Sequence, residues 1–138
     1  MPLVSISGGA LFAERLGSGP LRVLALHGWG RRGTDFAAAL GEIGTLALDL
    51  PGFGASPAPT EVIGAAGYAE AIGPAFDMFD EPPVVVGHSF GGRVAVVRQF
   101  SRPGSASGLV LSGAPLLRSG ERRKPPLAYR LARFANRI

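Results

Sequence analysis

The stretch Gly87-His88-Ser89-Phe90-Gly91-Gly92, set directly behind Val84-Val85-Val86, constrains this chain more than any other feature. Three successive valines favour an extended strand. Glycines two residues either side of Ser89 permit a turn too tight for residues with side chains. Beyond it, residues 93–100 read as a helix. A short, wholly apolar strand that turns at once into a helix belongs in a parallel sheet covered by helices. Ser89 then stands at the carboxyl end of a strand.

The rest of the chain repeats this alternation. Residues 3–6 and 11–16 flank Gly8-Gly9 and read as a hairpin of two short strands. Residues 21–26 form an apolar strand that runs into His27-Gly28. Thr34 is placed to cap a helix over residues 35–40, with Asp35 in its first turn. Residues 45–48 give the next buried strand, and 51–60, rich in Pro and Gly, read as loop. A helix is expected over 65–79 and a strand over 109–111. The fold class is therefore α/β, a mostly parallel sheet with flanking helices. With 138 residues, 46% hydrophobic and 17% charged, the chain is of single-domain size and too apolar for disorder. Residues 1–117 read as the core and residues 118–138 as a basic segment, in which Leu127, Leu131, Phe134 and Ile138 share one helical face.

The formal charge of +4 is unevenly spread, because residues 118–138 hold seven of the 14 basic side chains and only one acid, Glu121. Without a binding motif or interleaved aromatics, this basic tail does not read as a nucleic-acid surface. The absence of cysteine removes disulfides, zinc-thiolate sites and a thiol nucleophile. Two histidines at unrelated positions offer no metal cluster, and Gly28-Trp29-Gly30 lacks the downstream glycine of a dinucleotide loop. No cofactor is expected. No run approaches the roughly 18 apolar residues of a membrane span, and the first residues lack a signal-peptide pattern. A cytoplasmic protein without membrane association is the expectation.

A serine hydroxyl is a weak nucleophile until its oxygen is lifted clear of the backbone and a base takes its proton. Gly-x-Ser-x-Gly between strand and helix is the sequence form of a nucleophile elbow, which meets the first need. Two further motifs close the preceding strands: His27-Gly28-Trp29-Gly30, and Asp49-Leu50-Pro51-Gly52-Phe53-Gly54. In this order and spacing the three resemble the α/β-hydrolase family, over essentially the whole chain up to Leu117. The resemblance implies that Ser89 is the nucleophile and that backbone amides of Trp29 and Phe90 form an oxyanion hole. His27, Gly28, Gly87, His88 and Gly91 would support those motifs. It also implies a sheet cut off after its sixth strand, with residues 118–138 looking like the start of a cap.

The family's acid after a later strand and its histidine near the C-terminus have no counterpart, since Ser89 is followed by no histidine and only one carboxylate, Glu121. Neither histidine present replaces them. His27 has its place explained by the motif, and His88, next to Ser89 on an extended segment, is expected on the opposite face. Asp49 reads as a cap for the local backbone.

Two functions follow. One is a serine hydrolase of small-molecule esters or related acyl compounds, with base and acid outside this chain. The motifs are similar to those of carboxylesterases that demethylate a carrier-bound pimeloyl ester, and an arginine-rich cap would suit an acidic carrier protein. The other is a non-catalytic hydrolase-fold protein acting as scaffold or partner subunit. An open apolar sheet edge leads to self-association, or to pairing with a C-terminal half.

Overall fold

The computed structural model describes residues 1–115. β1 (Leu3–Ile6) and β2 (Leu11–Leu16) form the expected antiparallel hairpin, joined by a 3-10 turn over Ser7–Gly9. Four parallel strands follow: β3 (Val23–Leu26), β4 (Thr45–Asp49), β5 (Val84–His88) and β6 (Gly108–Ser112). The sheet order is β1-β2-β4-β3-β5-β6, with β2 antiparallel to β4.

β3 and β4 are buried along their whole length, which is why both read as unbroken apolar runs. Their two faces differ in bulk. Leu24, Leu26, Leu46 and Leu48 point into the larger core, whereas Ala25 and Ala47 point into a smaller one with Leu16. The alanines leave room for a 3-10 turn over Gly33–Phe36 and the one-turn helix α1 (Ala37–Leu40), whose Phe36, Ala37 and Leu40 cover them. The expected helix over 35–40 is thus split. Thr34 lies inside the 3-10 turn and caps nothing; Arg32 holds the cap position without a side-chain bond.

The larger core lies beneath α2 (Ala65–Ala71) and α4 (Phe90–Ser101). The single helix expected over 65–79 is instead α2 followed by the one-turn helix α3 (Gly73–Phe76), with Pro74 at its start. Proline cannot supply the N–H that a continuous helix needs there. Arg98 of α4 seals this junction: its guanidinium donates to the Ala69 carbonyl at 3.3 Å and stacks on the Phe76 ring at 5.1 Å.

This topology fixes where a ligand can sit. From β3 the chain passes under one face to β4, and from β5 it passes across the other face to β6. Between β3 and β5 the connections therefore diverge and leave a crevice at the strands' carboxyl ends. His27 follows β3 and Ser89 follows β5.

Candidate active site

Ser89 sits where β5 ends and α4 begins, with φ 50° and ψ −111°. A positive φ is strained for a residue with a Cβ, and such strain persists only where the surroundings enforce it. Here they do. A Cβ on Gly91 would run into the carbonyl oxygens of Leu26 and His27, and one on Gly87 would lie 2.5 Å from the Gly92 Cα. With both positions stripped to backbone, α4 starts hard against the ends of β3 and β5. The Ser89 N–H donates to the Ser112 carbonyl at 2.8 Å, which ties the apex to the end of β6.

Phe90 opens α4, so its N–H belongs to the first turn, where no intrahelical partner exists. Among the described residues neither this N–H nor that of Trp29 has a hydrogen-bond partner. The Trp29 ring meets the Phe90 ring edge to face at 5.2 Å, and Phe53 and Tyr68 complete the cluster, with Trp29–Phe53 at 5.1 Å and Tyr68–Phe90 at 5.0 Å. Edge-to-face packing of this kind adds roughly 0.5–1.5 kcal/mol per pair beyond burial. Trp29 remains 66% exposed, so the cluster keeps one face toward solvent.

His27 is held on both nitrogens. Leu50 N–H donates to its Nε2 at 3.0 Å, which makes Nδ1 the protonated nitrogen and the donor to the Gly28 carbonyl at 2.7 Å. It is 1% exposed and packs edge-on against Phe53 at 5.5 Å. Burial holds its pKa below the usual 6.5, despite that carbonyl and the Asp49 charge. A neutral imidazole with both nitrogens engaged joins the loop after β3 to the loop after β4. It has no lone pair left for Ser89.

Asp49 does the same for the neighbouring loops. Its carboxylate accepts from Gly33 N–H and Ala55 N–H, each at 2.8 Å. Ser56 donates to the Asp49 carbonyl at 2.6 Å and accepts from Phe12 N–H at 2.9 Å. The sequence singled out Asp49 as a local cap; its reach to Gly33, and the parts played by Ser56 and Tyr68, carry no linear signal.

The His88 ring lies beside Ser112 and Gly113. It and Ser89 line the same hollow of about 490 Å³, together with His27, Gly28, Trp29, Arg31, Asp35 and Phe36. The His88 Nδ1 lies 3.4 Å from Ser112 Oγ, and no hydrogen bond joins the ring to Ser89. Among the described residues there is also no group of three His, Cys, Asp or Glu able to hold a metal.

The family model described as "Alpha/beta hydrolase family" matches residues 23–138. The chain belongs to that family. This α/β-hydrolase chain is 40% identical over 118 residues to Lipase LipV of Mycobacterium tuberculosis, across 81% of the chain and 44% of the relative. It is 38% identical over 105 residues to a pimeloyl-[acyl-carrier protein] methyl ester esterase of Chromobacterium violaceum, across 73% and 39%. Among solved structures it is similar to a hypothetical protein of Pseudomonas aeruginosa PAO1, with TM-score 0.73, 27% identity and coverage of 99% of this chain and 51% of that one. It also resembles the N-acyl homoserine lactonase AidH, with TM-score 0.68, 30% identity and coverage of 83% and 44%. The chain thus spans less than half the length of the curated relatives it matches. Among the described residues of this α/β-hydrolase no helix is long and apolar enough to cross a membrane. The boundary expected at residue 117, and the whole basic segment 118–138, lie outside the described residues.

Proposed function

We propose that this chain carries the nucleophile and oxyanion hole of a serine hydrolase that cleaves esters or related acyl compounds. One observation carries the reading: Ser89 is held at φ 50° on the apex between β5 and α4, in the crevice that Gly28 and Trp29 border from β3. Ser7 has the same φ in the turn between β1 and β2, so the place of Ser89 at the carboxyl end of β5 and its share of the hollow, rather than φ alone, support presentation of its hydroxyl. Support for an ester as substrate comes from the relatives, a lipase and a methyl ester esterase.

In this mechanism Ser89 Oγ attacks the ester carbonyl carbon while a base takes the hydroxyl proton. Negative charge gathers on the carbonyl oxygen, where the free N–H groups of Phe90 and Trp29 donate to it and the 12-residue helix α4 points its positive end. Collapse of the tetrahedral intermediate breaks the bond to the alcohol, which leaves with the proton, and the acyl group remains on Ser89 until water releases it. His27 is excluded as base because both its nitrogens are engaged, and the His88 ring makes no hydrogen bond to Ser89, its Nδ1 lying 3.4 Å from Ser112 Oγ. The base and its orienting acid are therefore assigned to a part of the protein beyond the described residues.

A serine-directed fluorophosphonate tests this. Mass spectrometry of the chain after prolonged treatment at about pH 9, where hydroxide stands in for the base, is expected to show one phosphonyl group on Ser89, and none in Ser89→Ala. An unlabelled chain of unchanged fold would mean an inert serine and leave the scaffold function.

A further inference from the structure

The hollow beside Ser89 has a charged wall that ester hydrolysis alone does not require. Arg31 lines it, and its Nε donates to Asp35 Oδ2 at 2.7 Å, one helical-type step of four residues away. The Arg31 backbone N–H donates to the Gly28 carbonyl at 3.1 Å, the same oxygen that receives His27 Nδ1–H, so the base of the side chain is tied to the buried histidine. Gly30, at φ 71°, turns the loop so that Trp29 and Arg31 border one cavity. Asp35 engages only Nε. Among the described residues the two terminal nitrogens of Arg31 have no partner, and they form the planar fork that matches a carboxylate. The side chain is 63% exposed, so this edge is open to solvent.

We propose that Arg31, oriented by Asp35, is a carboxylate-binding residue at the rim of the Ser89 hollow, and that the substrates are half-esters of dicarboxylic acids. The site would take the free carboxylate on the Arg31 fork while the ester carbonyl faces Ser89. His27 is neutral, and Arg31 and Asp35 bring opposite charges to the wall, so the attraction for a carboxylate comes from the two terminal N–H groups of the Arg31 fork rather than from net charge. This deepens the ester-hydrolase reading and rests on it for the role of Ser89, but the binding step does not depend on catalysis.

Trp29 is the chain's single tryptophan and borders the same hollow, so its fluorescence reports binding directly. Monomethyl glutarate and dimethyl glutarate, alike in size but differing in charge, are titrated into the chain with Ser89→Ala to prevent turnover. The monoester is expected to bind about fivefold or more tightly than the diester, a modest gain because the pair is solvent-exposed. Arg31→Gln in that background should remove the preference, and Arg31→Lys, which keeps charge but loses the fork, should retain only part of it. Arg32→Gln, an exposed neighbour outside the hollow, should leave it intact. Equal binding of both esters, no binding of either, or a preference that survives Arg31→Gln would overturn the proposal. Failure of fluorophosphonate to label the unmutated chain, with the monoester preference intact, would instead overturn the hydrolase reading alone.

Discussion

Three buried or strained side chains set the properties of this site, each with a separable signature. His27 has its folded-state pKa lowered, so between that value and about 6.5 the unfolded chain binds the extra proton. Its contribution is complete above about pH 6.5 and is lost as pH falls through the window below. Thermal melts from pH 8 to 5 should show a fall in Tm that is reduced in His27→Asn; an identical pH profile in the variant would remove His27 from the account. Asp49 accepts two backbone N–H bonds while 5% exposed, so Asp49→Ala leaves both donors without it and should cost about 2–4 kcal/mol in urea unfolding. Ser89 pushes the other way. Because its φ of 50° suits glycine, Ser89→Gly is expected to be at least as stable as the parent, with a gain of up to about 1 kcal/mol, whereas Ser89→Ala gains nothing. A clear loss of stability in Ser89→Gly would mean that the backbone is not strained.

At the scale of elements, the tight turn at Ser89 forms because β3, β5 and α4 approach within backbone contact. Gly91→Ala sets a methyl against the carbonyls of Leu26 and His27, neither of which can move without pulling β3 out of register. The expected cost is about 3 kcal/mol or more, with loss of phosphonate labelling because the Phe90 N–H shifts with the helix. The strands were largely legible: alternation and apolar runs in residues 3–6, 11–16 and 45–48 give β1, β2 and β4 within a residue. Helices were less so. Residues 35–40 and 65–79 have helical spacing, yet each breaks into shorter turns, at the 3-10 segment before Ala37 and at Gly73-Pro74. Spacing reports which face is buried; it does not report whether each successive N–H finds its carbonyl.

For the molecule as a whole, the sheet order decides both the buried centre and the place of the candidate site. β3 and β4 lie inside the sheet with Leu24, Leu26, Leu46 and Leu48 fully enclosed, so Leu26→Ala should cost about 2–5 kcal/mol. The half-exposed Val110 of β6 is expected to tolerate Val110→Thr within about 0.5 kcal/mol. The crevice opens at the carboxyl ends of β3 and β5, strands hydrogen-bonded side by side though some sixty residues apart in the chain. A strand buried along its whole length, β3, thus borders the candidate site, where its packing holds Ser89 at positive φ.

The sequence by itself determined the α/β class, the strands and the place of Ser89 on a strand-to-helix turn, because alternation, glycine spacing and apolar runs are local properties of a chain. It also marked His27 and Asp49 as structural residues. Only the tertiary structure decided that the lone pair of His27 is taken by Leu50 N–H, that His88, Trp29 and Arg31 share a hollow with Ser89, and that Trp29 packs in a cluster with Phe53, Tyr68 and Phe90. Those arrangements depend on which strands become neighbours. That choice is made by the burial of two sheet faces at once, and no window of sequence records it.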